Sequence, residues 1–274
     1  MRTMSAARYR YSVRLLPRLV RLALGGPSSL CADTAALLQG ASPPPRALNP
    51  QHIPASQPFV LTFNHYDRPG LGAWWGAGAM AQAVAARRTG APREIHLAMA
   101  REWWYPTGFG KWIKQPLTRW FFGQLGKAYG LIRLPPVLGH DEFRGEGAWA
   151  IRQALTLTRR DPPELIGIAP EGATGAGLAL CTPPHGAGLF LLLLTRDRIP
   201  ILPAGIFEDE AQTLTVNFGA PYQLAVPRAL PRAARDCQAA RQVMVAIGKL
   251  LPARMWGVYR ADIAAVMQKD PSGF

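Results

Sequence analysis

The stretch FVLTFNHYDRPG, residues 59–70, places a histidine directly after a strand-like apolar run. A short apolar run that stops at a turn is typical of a strand buried on both faces of a sheet. Pro69 and Gly70 mark the turn. His65 is therefore expected just beyond the carboxyl end of a strand, either as a catalytic base or as a polar residue that bonds within the turn.

The same alternation of apolar run and helical stretch continues along the chain. Strands are predicted at 59–63, 95–100, 129–134, 165–170, 199–207 and 213–219, and helices at 69–88, 109–126, 145–160 and 186–197. This alternation predicts an α/β fold with a mostly parallel sheet flanked by helices. Ligands of such sheets bind at the loops that leave the carboxyl ends of the strands. His65, Arg133 and Glu171 lie at or near three of these ends.

The charge of the chain favours anionic partners. Its 274 residues carry 31 Lys and Arg against 17 Asp and Glu, a formal net charge of +14. Acidic lipid headgroups, a phosphorylated substrate and nucleic acid all fit that sign. No nucleic-acid-binding motif is recognisable, so no nucleic-acid partner is expected. The three cysteines are far apart and form no CxxC pair, which argues against a zinc site and against a disulfide framework. A reducing, cytoplasmic compartment is therefore expected.

Three segments are distinguished by composition. Residues 1–40 are predicted to form an N-terminal basic helical segment, because 1–24 contain six arginines and no acid. This pattern fits an interfacial helix on anionic lipid, with Pro17 kinking or restarting it, but an ordinary packing helix with a solvated basic face fits as well. Residues 41–58 are rich in proline and predict a linker, and 59–274 predict the main α/β domain with C-terminal helices.

Five blocks occur in a fixed order along the main domain. They are NHYDRPG (64–70), YGLIRLP (129–135), IAPEGATG (168–175), IPILPAGIF (199–207) and TVNFGAPYQL (215–224). Over about residues 57–225, this ordered set resembles the glycerolipid acyltransferases, the family of 1-acylglycerol-3-phosphate O-acyltransferases and lysophospholipid acyltransferases. The resemblance implies a glycerol-3-phosphate acyltransferase-like fold, in a peripheral protein at the cytoplasmic face of the membrane.

The resemblance also implies an activity and roles for the residues of the blocks. The expected reaction moves a fatty acyl group from acyl-CoA or acyl-carrier protein to the hydroxyl of a lysophospholipid or related acceptor, with no cofactor and no metal. His65 is implied as the general base, which suits the near-neutral pKa of imidazole. Arg133 is implied as the ligand of the acceptor phosphate, and Glu171 and Gly172 as residues on the acceptor or oxyanion side.

Two departures from the family pattern leave alternatives open. Gly70 stands where the family has an acid that orients the histidine, so Asp67 or Glu171 is expected to replace it. Thr174 stands where the family has an arginine, and it is expected at the substrate together with Arg68 or Arg101 as a replacement cation. Asp67 could instead cap a helix, and Glu171 could be structural. A non-catalytic lipid-binding protein of the same fold is the alternative function.

A cluster of aromatic residues follows two of the predicted strands. Trp74, Trp75, Trp103, Trp104 and Tyr105 are expected in the core or at a membrane interface, although an acyl chain would also require an apolar channel of this composition.

Overall fold

Seven strands form the central sheet. The computed structural model describes residues 8–90, 92–103, 105, 107–135, 147–196 and 198–269. The strands of these residues are β1 (Arg8–Tyr9), β2 (Ala41–Ser42), β3 (Arg46–Leu48), β4 (Val60–Phe63), β5 (Ile95–Ala100), β6 (Ile132–Leu134), β7 (Leu165–Ile168), β8 (Ile201–Glu208) and β9 (Leu214–Phe218). β1 and β2 pair with each other, and β3 to β9 form the central sheet. The order in the sheet is β3-β9-β8-β4-β7-β5-β6, and only β8 and β9 pair in antiparallel fashion. The predicted α/β class with a mostly parallel sheet is confirmed.

Eight α-helices accompany the sheet in the described ranges. They are α1 (Leu16–Ala23), α2 (Leu30–Leu38), α3 (Ala73–Arg87), α4 (Gln115–Tyr129), α5 (Gly147–Thr158), α6 (Ala187–Leu194), α7 (Arg232–Gly248) and α8 (Arg260–Lys269). A π-helical segment, Gly110–Lys114, runs directly into α4. The third strand is shorter than predicted, because α4 continues to Tyr129 and ends at Gly130, whose positive φ of 62° suits a helix C-terminus.

Helices cover both faces of the sheet, as two neighbouring residues of β8 show. A Cβ on Gly76 of α3 would meet the side chain of Ile206, whereas a Cβ on Gly205 would meet Leu250 and Leu251, which follow α7. Successive residues of a strand point to opposite faces, so α3 and the end of α7 lie on opposite sides. Accordingly, every residue of β4, β7 and β8 is buried.

The proline-rich segment 41–58, predicted as a linker, contributes to the sheet. Its strand β3 pairs in parallel with β9 at the sheet edge. Beyond it, Ile53 is buried, and the Arg88 guanidinium donates to the carbonyl oxygens of Pro54 and Gln57 at 3.1 and 2.6 Å. Proline is tolerated in edge and irregular segments, so its abundance did not distinguish a packed segment from a linker.

The N-terminal basic segment forms a short helix that is packed through one stripe. Pro17 lies in the first turn of α1, where it starts the helix and does not kink it. Leu15 and Leu22 are buried, and Arg18 donates to Asp33 of α2 at 2.6 Å. No helix in the described ranges is long and apolar enough to cross a membrane.

Candidate functional site

The carboxyl ends of two neighbouring strands bring His65 and Glu171 together. β4 and β7 pair in parallel, so the loops that follow them leave the sheet at the same edge. One carboxylate oxygen of Glu171, Oε2, accepts the backbone N–H of His65 at 3.0 Å. The other, Oε1, accepts the backbone N–H of Cys181 at 2.7 Å. Glu171 therefore ties the backbone of His65 to the 171–181 loop, and it does not bond the imidazole.

Burial is the main electrostatic influence on Glu171. The residue is only 3% exposed, and burial raises the pKa of its carboxyl above the ordinary value. The two backbone N–H groups of Cys181 and His65 oppose that rise, because they stabilise the charged form. A buried carboxyl with two such donors is typical of a structural brace.

Asn64 fixes the strand end from which His65 projects. Its side-chain amide donates to the Ile206 carbonyl at 2.9 Å, and its side-chain carbonyl accepts the Ile206 N–H at 2.7 Å. The residue is 1% exposed, so both polar groups are satisfied away from water. This pair extends the contact between β4 and β8 by side-chain bonds. An asparagine directly after a buried strand is the only sequence signal for this role.

The His65 ring is held by a hydroxyl. Its Nδ1 lies 2.7 Å from Oγ1 of Thr174. Partial burial lowers the pKa of the imidazole below 6.5, and the charge of Asp67 raises it to a smaller extent. This shift favours the neutral ring, the state that a general base requires. With Nδ1–H donating to Thr174, Nε2 carries the lone pair that could take a proton.

The structure does not bring the two candidate carboxylates to the ring of His65. Asp67 is exposed and makes no hydrogen bond to another described residue, so it acts on His65 through its charge alone. It does not cap α3 either, because that helix begins after Gly72 without a side-chain cap. Gly70 has a φ of +83°, in the turn where Arg68 and Leu71 exchange backbone hydrogen bonds. That conformation favours glycine, and an acid at position 70 would be strained.

Arg68, expected at a substrate phosphate, is paired with Glu208. Its Nε and Nη2 donate to the two carboxylate oxygens, both at 2.5 Å. Hydroxyls of Tyr9 and Tyr66 donate to the same carboxylate at 3.1 and 3.0 Å. Burial and the charge of Glu208 raise the pKa of Tyr66 to about 12. Because a phosphate would have to displace Glu208, the geometry favours a role for Arg68 in holding the 66–71 turn on β8.

The backbone amide of Gly172, which was expected on the acceptor or oxyanion side, is hydrogen-bonded within the Pro170-Glu171-Gly172 turn. The N–H of Gly172 donates to the Ala169 carbonyl at 3.1 Å, with Pro170 at the second position of the turn. The amide of Gly172 is therefore engaged. The turn instead directs the chain back toward His65, so that Thr174 reaches its ring.

Arg133 lies at the same edge of the sheet but away from His65. β7 and β5 separate its strand from β4, a distance of about 14 Å at the usual strand spacing. The guanidinium lies 5.5 Å from the Trp149 ring, and the side chain packs against Gly126 of α4. Within the described ranges, Arg133 has no carboxylate partner. A partly buried cation in this state is suited to bind an anion.

Glu102, which the sequence analysis did not single out, holds two further arginines near the strand of Arg133. Its buried carboxylate accepts from Nε of Arg101 at 3.0 Å and from Nη2 of Arg119 at 2.7 Å. The side-chain amide of Gln115 also donates to it, at 3.2 Å. Arg101, Arg119 and Arg133 thus lie with Glu102 around the ends of β5 and β6. Its signal in the sequence was an acid directly after a predicted strand.

The aromatic cluster divides between core and surface. Trp75 is buried at 1% exposure, whereas Trp74 and Trp103 are 46% and 51% exposed at the carboxyl edge of the sheet. Tyr105 is partly buried, and Trp104 lies outside the described residues. The two exposed tryptophans fit the expected interface role better than a closed channel.

Neither a metal-binding cluster nor a similar known protein indicates what the site does. Among the described residues, no group of three or more His, Cys, Asp or Glu side chains could hold a metal ion. Comparisons of the sequence with models of protein families and with curated proteins found no match.

Proposed function

We propose that the protein is a glycerolipid-type O-acyltransferase with a glycerol-3-phosphate acyltransferase-like fold and His65 as its general base. The observation that carries the proposal is the position of the His65 ring at the carboxyl edge of the parallel sheet, where its Nδ1 lies 2.7 Å from Oγ1 of Thr174. The order of the five sequence blocks supports it. The donor is acyl-CoA or acyl-carrier protein, and the acceptor is a lysophospholipid or a related glycerolipid.

The proposed reaction passes one proton through the histidine. Nε2 removes the proton of the acceptor hydroxyl as its oxygen attacks the thioester carbonyl, and the C–O bond forms. The tetrahedral intermediate then collapses, the C–S bond breaks, and the thiolate leaves with the proton from Nε2. The imidazolium in between is stabilised by the hydroxyl oxygen of Thr174 and by the charge of Asp67. These two groups take the place of the missing acid at position 70.

The acceptor headgroup is proposed to bind at the corner formed by Arg101, Arg119 and Arg133. Arg119 pairs with Glu102, whereas Arg133 has no carboxylate partner among the described residues and can therefore supply a cation to an anionic group. Arginine binds phosphate oxygens bidentately, so this corner suits a phosphorylated acceptor. The proposed headgroup site thus lies on β5, β6 and α4, and not at Arg68.

Thr174 is proposed as the residue that positions the base. We expect Thr174→Val to lower kcat about tenfold, because the ring loses the hydrogen bond that also stabilises its charged form. Thr174→Ser should restore most of the rate, whereas Thr182→Val, at an exposed threonine, should leave it unchanged. A Thr174→Val enzyme with the rate and pH profile of the original protein would show that the ring is oriented in another way.

The pH dependence of the rate tests the protonation state of His65. Because burial lowers the pKa of its imidazole, kcat/KM should rise with pH through a midpoint below the ordinary value of about 6.5. Asp67→Asn removes a charge that raises this pKa, so the midpoint should fall further. Glu210→Gln, at an exposed acid, is the control. A midpoint above 6.5, or an upward shift in Asp67→Asn, would contradict the assignment.

A second candidate function is lipid binding without turnover. The observation that favours it is that no carboxylate among the described residues bonds the His65 ring. In this case the fold would retain a pocket for a glycerolipid, and acyl transfer would not occur with any donor.

The test is mass spectrometry of lipids after incubation of the purified protein with mixed lysophospholipids and acyl-CoA, and separately with acyl-carrier protein. New diacyl products that depend on His65 support the acyltransferase and identify the headgroup. If no product forms with any donor while lysophospholipid still binds, lipid binding alone is the function.

A further inference from the structure

Two neighbouring helices present apolar side chains to solvent in continuous stripes. We define the docking face as the large exposed apolar residues of the segments 16–24 and 109–120. It comprises Leu16, Leu19, Val20, Leu24, Phe109, Trp112, Ile113, Leu117 and Trp120. Exposure reaches 82% at Leu24 and 76% at Trp112. In the first of these segments, the spacing of three or four residues places the leucines and Val20 on one side of the helix.

Helices α1 and α4 both donate hydrogen bonds to Asp33, which fixes their orientation relative to α2. Asp33 of α2 accepts from Arg18 of α1 at 2.6 Å and from the hydroxyl of Tyr129 of α4 at 2.8 Å. The end of α1 also lies beside α4, since a Cβ on Gly25 would be 3.6 Å from Oε1 of Gln124. α1 therefore turns Arg18 and Leu22 inward and its apolar stripe outward, the reverse of an ordinary surface helix.

Charge identifies the partner as an anionic surface. Residues 8–24 contain five arginines, residues 109–129 contain four lysines and arginines, and neither stretch contains an acid. Among the described residues, Asp33 and Glu102 form ion pairs with Arg18, Arg21 and Arg119 of these segments. Arg14, Lys111 and Lys114 are exposed beside the apolar stripes. Cations around exposed tryptophan and leucine are the pattern of a helix that lies in the headgroup region of a bilayer.

The docking face adjoins the edge of the sheet that holds His65. The segment 109–120 follows the carboxyl end of β5, where Glu102 pins it through Gln115 and Arg119. At the same edge, the indole N–H of the exposed Trp74 donates to the hydroxyl of Tyr11 at 2.9 Å, just before α1. A bilayer against the face would therefore lie beside the loops that follow the strands.

We propose that α1 and the segment 109–120 together form a surface that binds an anionic lipid bilayer, with Trp112 and Ile113 inserted among the headgroups. Delivery of the acyl acceptor from that bilayer to His65 rests on the proposed function, whereas bilayer binding does not. The segment 109–120 is the new element of the surface, because the basic residues of the N-terminus alone indicated only α1.

Flotation with lipid vesicles tests the proposal on the full chain without an acyl donor. The protein should float with vesicles of phosphatidylcholine containing roughly a third phosphatidylglycerol, bind pure phosphatidylcholine far more weakly, and dissociate as salt is raised. Trp112→Ser with Ile113→Ser should weaken partitioning at least about tenfold. Lys111→Gln with Lys114→Gln should weaken it about tenfold on the anionic vesicles only.

Matched controls and competing outcomes make the test decisive. Val258→Ser with Val266→Ser removes exposed apolar side chains elsewhere, and Arg228→Gln with Arg232→Gln removes exposed charges elsewhere; both should bind as the original protein does. All variants should melt at unchanged temperature, since the residues are exposed. Absence of flotation, or equal loss in the controls, overturns the proposal. Unchanged flotation of the Trp112 and Ile113 variant also overturns it. If that variant converts a dimer to a monomer, the face is a subunit interface.

The result is separable from the acyltransferase proposal. His65→Ala should float normally, because the residue is not on the docking face. Acyl transfer without flotation would overturn only the docking surface, and flotation without acyl transfer would overturn only the enzyme.

Discussion

His65→Ala should lower the rate of acyl transfer about a thousandfold, the effect typical of removing a positioned general base. Among the described residues, the hydroxyl of Thr174 forms a hydrogen bond only with the His65 ring. Glu171 is occupied by two backbone amides and does not bond the ring, so it is not expected to replace the imidazole. The rate is measured as diacyl product formed per unit time at saturating donor and acceptor.

The matched control is His185→Ala, which makes the same change at an exposed histidine. It should retain the full rate. The backbone of His65 supplies the bond to Glu171, so the His65→Ala protein should unfold at nearly the same urea concentration as the original. A His65→Ala protein that is folded and transfers acyl groups at more than a tenth of the original rate would refute the role of His65 as base.

Glu208→Ala should destabilise the protein by about 2–3 kcal/mol, the largest stability effect that we expect from one substitution near the site. The change leaves the Arg68 guanidinium and the hydroxyls of Tyr9 and Tyr66 without their common acceptor. Removing one partner from a buried charged network costs more than the network contributes, because the remaining groups stay desolvated. The lower part of the usual range applies, since the Arg68 side chain is 32% exposed.

Urea unfolding followed by circular dichroism measures this loss as a fall in the free energy of unfolding. Glu210→Ala, two residues away and exposed, should change that free energy by less than about 0.5 kcal/mol. A Glu208→Ala protein as stable as the control would mean that Arg68 and the two tyrosines find other partners.

The periodic elements could be predicted from the sequence because each strand and helix carries its own signal. The run at 95–100 matches β5 in full, and the apolar run after Gly186 matches α6. Residues 41–58 were predicted as a linker, since proline and polar residues look alike in a linker and in an edge strand. The pairing of β3 with β9 depends on a contact across about 170 residues of chain, which no local pattern reports.

The positions of His65 and Glu171 at strand ends could be predicted from the sequence, whereas their hydrogen bonds could not. The position of His65 and Glu171 at adjacent strand ends followed from the order of the blocks. Which groups they bond depends on the path of two loops, and there the structure pairs Thr174 with the ring and Glu171 with the backbone. The pairing of Arg68 with Glu208 joins residues 140 positions apart, so the sequence left Arg68 as a free cation.

The glycine turn at position 70 also limits how this chain can change. A single substitution at that codon would restore the acid of the family pattern, yet the backbone there has a φ of +83°, and the turn around it is held by the Arg68–Leu71 backbone pair and by Glu208. An aspartate at position 70 would be strained in the present turn. The glycine of this turn therefore leaves the orientation of the His65 ring to the hydroxyl of Thr174.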